Sequence, residues 1–138
     1  MLRRIAQTLD AMGVQEALVV HGSGLDEVAL HAETRAMRLS DGEITEITIT
    51  PEDAGLERAP LTGVTGADVE ENAVRFKALL HGGGNKAEQD ITIINAAALL
   101  WTAGLAAGLR EAADQARDAL LSGQAGAVLD SFIEASNG

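Results

Sequence analysis

An α/β fold follows from three features of this sequence. An amphipathic helix at the start runs into a short apolar strand, two β-prone segments are joined by Asp-Gly, and the second half carries helical periodicity without further strands. With 138 residues, the chain fits a single α/β domain with a sizeable core. Hydrophobic residues make up 46% and charged residues 22%, which excludes long disordered stretches. Aromatic residues are only 2%, so the core must be built from Ala, Leu, Ile and Val.

Leu2, Ile5, Leu9 and Met12 recur at helical steps, giving the first segment one apolar face. Gly13 follows as its terminator, and Ala17 to Val20 reads as a buried strand. Beyond Val28-Ala29-Leu30, the segments Thr34 to Leu39 and Ile44 to Thr50 flank Ser40-Asp41-Gly42-Glu43. Both central positions of a type I′ turn need positive φ, so Asp-Gly here predicts a hairpin. A two-residue turn puts Met37, Leu39, Ile44 and Glu46 on one face and Ile47 and Ile49 on the other. That conflict predicts a bulge near Thr45 or a longer loop. Pro51 cannot donate to a ladder and ends the strand.

Pro51 to Gly66 holds both prolines and three glycines, a connector with one helical turn. Asp68 caps a helix carrying Val69, Ala73, Phe76 and Leu80, which His81-Gly82-Gly83-Gly84-Asn85 stops. The glycine run is a hinge rather than a phosphate loop. No strand precedes it, no Lys-Ser/Thr follows it, and Glu88 and Asp90 hold the helix start where an anion would sit. Ile91, Ile94, Ala98, Trp101 and Leu105 form one stripe with Ile93, Ala97 and Leu100 on its flank, which makes this helix a central one. Asn95 in its middle either hydrogen-bonds a neighbouring backbone or reaches a site. Leu109, Ala112, Ala116 and Leu120 give a further helix closed by Gly123. A last helix over 125–135 presents Val128, Leu129, Phe132 and Ile133.

The chemistry-bearing stretch is the end of the first strand, where Val19-Val20 runs into His21-Gly22-Ser23-Gly24-Leu25-Asp26-Glu27. Strand ends that open into glycine turns are where α/β folds place their sites. Asp26 and Glu27 are hard oxygen donors suited to Mg²⁺, which takes one or two carboxylates and completes its shell with water and substrate phosphate. From spacing alone, an acidic pair after a turn is more often solvated surface than a site. The formal net charge of -11 repels nucleic acid and anionic membrane surfaces. A phosphate-bearing ligand beside these two carboxylates therefore requires a divalent cation between them. There is no Cys, no apolar run of membrane-spanning length and no signal-peptide core, which points to a cytoplasmic protein.

The order Val19-Val20-His21-Gly22-Ser23-Gly24-Leu25-Asp26-Glu27, Asp41-Gly42, Thr50-Pro51-Glu52-Asp53-Ala54-Gly55-Leu56, Glu71-Asn72-Ala73, Asp90-Ile91-Thr92-Ile93-Ile94-Asn95-Ala96-Ala97 and Ser122-Gly123-Gln124-Ala125 closely resembles the C-terminal part of anthranilate phosphoribosyltransferases. The resemblance covers essentially the whole chain. It implies part of a mixed β-sheet flanked by helices, with a helical C-terminal half of the nucleoside phosphorylase and phosphoribosyltransferase kind. It also implies transfer of the phosphoribosyl group of phosphoribosyl pyrophosphate to anthranilate in tryptophan biosynthesis, a Mg²⁺ cofactor and a homodimer. By resemblance, Asp26 and Glu27 are the Mg²⁺-binding pair, with His21, Gly22 and Gly24 as the supporting loop.

The chain departs from that family pattern in what it lacks. The Gly-Thr-Gly-Gly-Asp loop for phosphoribosyl pyrophosphate is not in the sequence, nor are the helical N-terminal domain and the residues that hold anthranilate. The expectation is a truncated or split chain, with no catalytic residues of its own, inactive alone, and self-associating through apolar surface left uncovered. Gln89 stands where relatives often carry Arg. The alternatives are a non-catalytic folded module, or a related phosphoribosyltransferase or nucleoside phosphorylase with another acceptor.

Overall fold

The computed structural model of the protein describes residues 1–63 and 66–138. Helix α1 (Leu2–Ala11) leads into strands β1 (Glu16–His21), β2 (Thr34–Ser40) and β3 (Glu43–Ile49). Two 3-10 turns, Pro51–Ala54 and Leu61–Gly63, carry the chain to α2 (Val69–Leu80), α3 (Lys86–Thr102), α4 (Leu109–Leu121) and α5 (Gln124–Asn137). The architecture is the expected α/β arrangement with a helical second half. Its sheet has the order β1-β2-β3, and both pairings are antiparallel. The resemblance implied part of a mixed sheet, and no parallel pair occurs among the described residues. β1 lies at one edge of the sheet.

The hairpin closes without a bulge. Ser40 pairs with Glu43 across a two-residue turn whose Asp41 and Gly42 both have positive φ, 48° and 81°. Met37 faces Glu46 and Leu39 faces Ile44, while Ala36 faces Ile47 and Thr34 faces Ile49. The expected bulge near Thr45 is therefore absent, and the reason is that the sheet is covered on both sides. Ala36 and Ile49 belong to the main core with Ile93, Ile94, Ala97, Ala112 and Ala113 of α3 and α4, and Leu18, Val20 and Ile47 pack against it. Met37 and Leu39 are buried on the opposite face, where α1 lies with its fully buried Ala6. A strand with apolar residues on alternate faces is stable when each face has its own helix layer.

The helices follow their caps more closely than their stripes. Asp68 accepts from the Glu71 amide at the start of α2, and Asn85 with Glu88 forms a reciprocal capping box at the start of α3. Thr50 and Asp53 do the same for the first 3-10 turn, with Pro51 at its first position. Several stripe residues, however, face solvent. Met12 and Ile5 of the first stripe are exposed, because α1 meets the sheet through Leu2, Ala6 and Leu9. On α2, Val69, Val74 and Phe76 are exposed, and on α5 so are Val128, Phe132 and Ile133. α3 ends at Thr102, so Leu105 falls outside it and is exposed. Small residues explain the tight α3–α4 packing. Ala97, Ala112 and Ala113 are fully buried, and alanines let the helix backbones approach closely. No helix among the described residues is long and apolar enough to cross a membrane.

Candidate functional site

The site residues named from the sequence lie together at the C-terminal end of β1. The strand stops at His21, and the chain reverses at once: the Gly22 amide donates to Leu25 O at 3.0 Å, and the Leu25 amide donates to Gly22 O at 3.2 Å. The two residues between them have positive φ, 50° at Ser23 and 105° at Gly24. Glycine reaches this region without strain, and Ser23 is steadied by its hydroxyl, which donates to Glu33 O at 2.9 Å. Asp26 and Glu27 follow directly and are exposed.

Immediately after them the chain dives into the core. Val28, Ala29 and Leu30 are buried to 2% exposure or less, yet none belongs to a strand or helix. Buried backbone needs partners, and here they come from elsewhere in the fold. Asn95 Oδ1 accepts from the Val28 amide at 2.8 Å while its Nδ2 donates to Val28 O at 3.0 Å. The Thr34 hydroxyl accepts from the Ala29 amide at 2.8 Å, and Leu30 O accepts from the Ala59 amide at 3.1 Å. Asn95 thus takes the first of its two expected roles, hydrogen-bonding a backbone, and that backbone adjoins Glu27.

Gly22 is required by space rather than by its dihedral. A Cβ there would lie 2.3 Å from Glu27 O and 2.9 Å from the Ala29 amide nitrogen. The strand end and the carboxylate-bearing turn are therefore in direct backbone contact. Gly24 has open space around it and needs its glycine for φ alone.

Among the described residues, neither the Asp26 nor the Glu27 carboxylate has a hydrogen bond or a cationic partner. Loss of water on the protein side, and next the neighbouring Asp26 charge, hold the Glu27 carboxyl above the ordinary carboxylate range. Asp26, His21 and Gly24 share the wall of a cavity of about 700 Å³ with Arg3, Arg35 and Leu2. No group of three or more His, Asp or Glu side chains gathers for a metal among the described residues. An all-protein cage is thus not what this site offers. Two unpaired carboxylates are instead the donor set that Mg²⁺ accepts when phosphate and water complete its shell.

The glycine run does not form an anion site. Glu88 Oε2 accepts from the Asn85 amide at 2.8 Å, and Arg75 pairs with the same carboxylate, so the N-terminus of α3 already holds its own negative group. Gln89 donates from Nε2 to Gly83 O at 3.0 Å and ties that loop to α3.

Residues 1–126 match the family model described as "Glycosyl transferase family, a/b domain". The chain belongs to that glycosyl transferase family. Its curated relatives include the anthranilate phosphoribosyltransferases of Sorangium cellulosum, 52% identical over 95% of this chain, and of Haloferax volcanii, 46% identical over 95%. The chain spans about two fifths of the length of these glycosyl transferase relatives, 38% of the first and 40% of the second. The solved anthranilate phosphoribosyltransferase of Thermus thermophilus superposes with a TM-score of 0.88 at 35% identity, covering 96% of this chain and 39% of that one. The Saccharomyces cerevisiae enzyme, solved in complex with PRPP and Mg, gives 0.85 at 25% identity over the same shares.

Proposed function

We propose that this chain is the C-terminal portion of the α/β domain of an anthranilate phosphoribosyltransferase, with Asp26 and Glu27 as its Mg²⁺-binding pair. The observation that carries the reading is the pair itself: two adjacent carboxylates, free of partners among the described residues, on a turn whose backbone is fixed on both sides. The relatives supply the activity, and one solved neighbour is a complex with PRPP and Mg.

When bound, Mg²⁺ neutralises diphosphate charge and favours its departure as leaving group. The residues of this chain have narrower tasks. Asp26 presents oxygen donors on the cavity wall with Glu27 beside it in the chain, and Gly22 and the buried 28–30 segment hold the pair there. His21 and Gly24 line the approach beside Asp26. Acceptor recognition and the remaining diphosphate contacts belong to the part of the enzyme outside these residues, so the chain alone turns over no substrate. The intact enzyme is a cytoplasmic homodimer in this reading. The exposed Val69, Val74 and Phe76 of α2 and Val128 and Phe132 of α5 make the isolated chain self-associate.

The test is a titration with Mn²⁺ as the probe, read by water-proton relaxation, on the wild-type chain and on the Asp26→Asn, Glu27→Gln double variant. The acidic surface contributes diffuse binding to both, so the expected result is one stronger site present only in the wild type. Calorimetry with Mg²⁺ and phosphoribosyl pyrophosphate is expected to show heat that the double variant loses. Equal responses from both proteins would refute the assignment.

A further inference from the structure

We propose that Asn95 is a positioning residue for the Asp26–Glu27 pair, setting its metal affinity by clamping both polar groups of the Val28 peptide backbone from helix α3. The inference rests on the metal-pair reading above and extends it to a residue 67 positions beyond Val28 in sequence.

Three observations carry it. First, the amide of Asn95 is locked in one orientation. One Nδ2 hydrogen goes to Ile91 O at 2.9 Å and the other to Val28 O at 3.0 Å, while Oδ1 accepts from the Val28 amide at 2.8 Å. Turning the amide over would place Oδ1 against two carbonyl oxygens and Nδ2 against an amide hydrogen, so all three bonds would be lost together. Second, Asn95 rides on a rigid base. Ile93, Ile94, Ala97 and Ala98 around it are buried in the main core. Third, the clamp acts at one of three adjoining fixed points. Gly22 packs under Glu27 O, Asn95 holds Val28 N and O, and Thr34 holds Ala29 N.

Backbone fixed at successive peptide units, beneath side chains that have no partners among the described residues, is what a preorganised ligand pair requires. A site held to within about 0.5 Å binds without reordering its own chain. Ordinary core packing does not call for it. A buried loop needs its polar groups satisfied, but a side-chain amide that serves both the donor and the acceptor of the residue next to a carboxylate fixes that residue's position as well as its hydrogen bonding.

The experiment compares Mn²⁺ affinity with stability in the full 138-residue chain, using Asn95→Ala, Asn95→Gln and the core variant Leu39→Ala. Asn95→Ala removes the clamp. Asn95→Gln keeps the amide on a stem one methylene longer and moves it off Val28. Leu39→Ala lowers stability from the sheet face that α1 covers, opposite the core that holds Val28 and α3. The expected result is Mn²⁺ affinity reduced about tenfold or more in both Asn95 variants, as for other groups that orient metal ligands, and unchanged in folded Leu39→Ala. In the wild type, amide exchange at Val28 should be slow before metal is added and no slower after it. A folded Asn95 variant with wild-type affinity overturns this inference alone, and so does a Val28 amide that becomes protected only on Mn²⁺ addition. A wild-type chain that binds no Mn²⁺ overturns the metal-pair reading and this inference with it.

Discussion

Replacing Gly22 by alanine tests whether the strand end and the carboxylate turn are one mechanical unit. The new Cβ would sit 2.3 Å from Glu27 O, whereas ordinary contact begins at 3.4 Å, so the two backbones must separate by about 1.1 Å. Both neighbours are main-chain atoms, which cannot rotate away as a flexible side chain would. Overpacking of this kind costs roughly 1–3 kcal/mol. A displacement near 1 Å at Glu27 exceeds the tolerance of about 0.5 Å for a preorganised site, so Mn²⁺ affinity should fall about tenfold or more. The control is Gly24→Ala. At φ 105° an alanine carries backbone strain of about 1–3 kcal/mol, but it meets nothing within 4 Å. The two variants should lose comparable stability in urea denaturation followed by circular dichroism, while relaxation titration shows impaired Mn²⁺ binding chiefly in Gly22→Ala. Undiminished affinity in folded Gly22→Ala would refute the coupling, and so would an equal loss in Gly24→Ala.

Ile94 is fully buried between the sheet and α4, so Ile94→Ala should destabilise the chain by roughly 2–5 kcal/mol, measured as a lower urea midpoint with little change in slope. A loss below about 1 kcal/mol would mean that the core relaxes around the cavity. Glu88 is held below its ordinary value near 4.5, first by the Asn85 amide and then by Arg75. A depressed carboxyl stabilises the fold above its unfolded pKa, and that contribution disappears as pH falls through the folded value. Glu88→Gln should therefore be less stable than wild type at neutral pH, with the gap closing in acid. Urea midpoints at several pH values read this directly, and a gap independent of pH would contradict the capping role.

The parts of the fold that were legible in the sequence are those decided locally. Asp41-Gly42 set the hairpin because only a turn with two positive φ values joins those strands so tightly. Asp68 marked a helix start because its side chain satisfies the Glu71 amide three residues on, whereas Asn85, read as the end of a glycine stop, proves to be the cap of α3. The false bulge near Thr45 came from assuming that one face of the sheet is wet. Which faces are covered depends on where α1 and α3 return, and strand alternation carries no record of that. The exposed stripes of α2 and α5 fail in a related way: periodicity shows that a face is apolar, not that anything within these residues covers it. For the site, Asp26-Glu27 after Gly-x-Gly stood out as a motif, but Thr34 did not. Its hydroxyl is fully buried on the Ala29 amide, and nothing in a strand-like Thr separates that role from β-propensity. Asn95 did carry a signal, being the strongly polar side chain within an apolar helix.

Charge ties the site to the rest of the molecule. Arg35, on the same cavity wall as Asp26, donates to Glu46 at 2.8 Å, and the charge of Arg3 also bears on Glu46. Elsewhere Arg58 pairs with Glu52, Arg75 with Glu88 and Arg117 with Asp114, while Arg38 lies 4.7 Å above the Trp101 ring. The exposed ion pairs Arg58–Glu52 and Arg117–Asp114 add little stability. For the site the ion pairs have a different consequence: they engage Arg35, Arg58, Arg75 and Arg117 with groups other than Asp26 and Glu27. In a body of net charge -11, a carboxylate pair left in that condition repels a diphosphate unless a cation from solution stands between them. In the proposed assignment the same repulsion favours Mg²⁺ at the pair, because a bound cation relieves the Asp26 charge that, after burial, raises the Glu27 carboxyl. Under the proposed metal-pair assignment, the acidity that repels nucleic acid also makes metal and diphosphate binding cooperative at the end of β1.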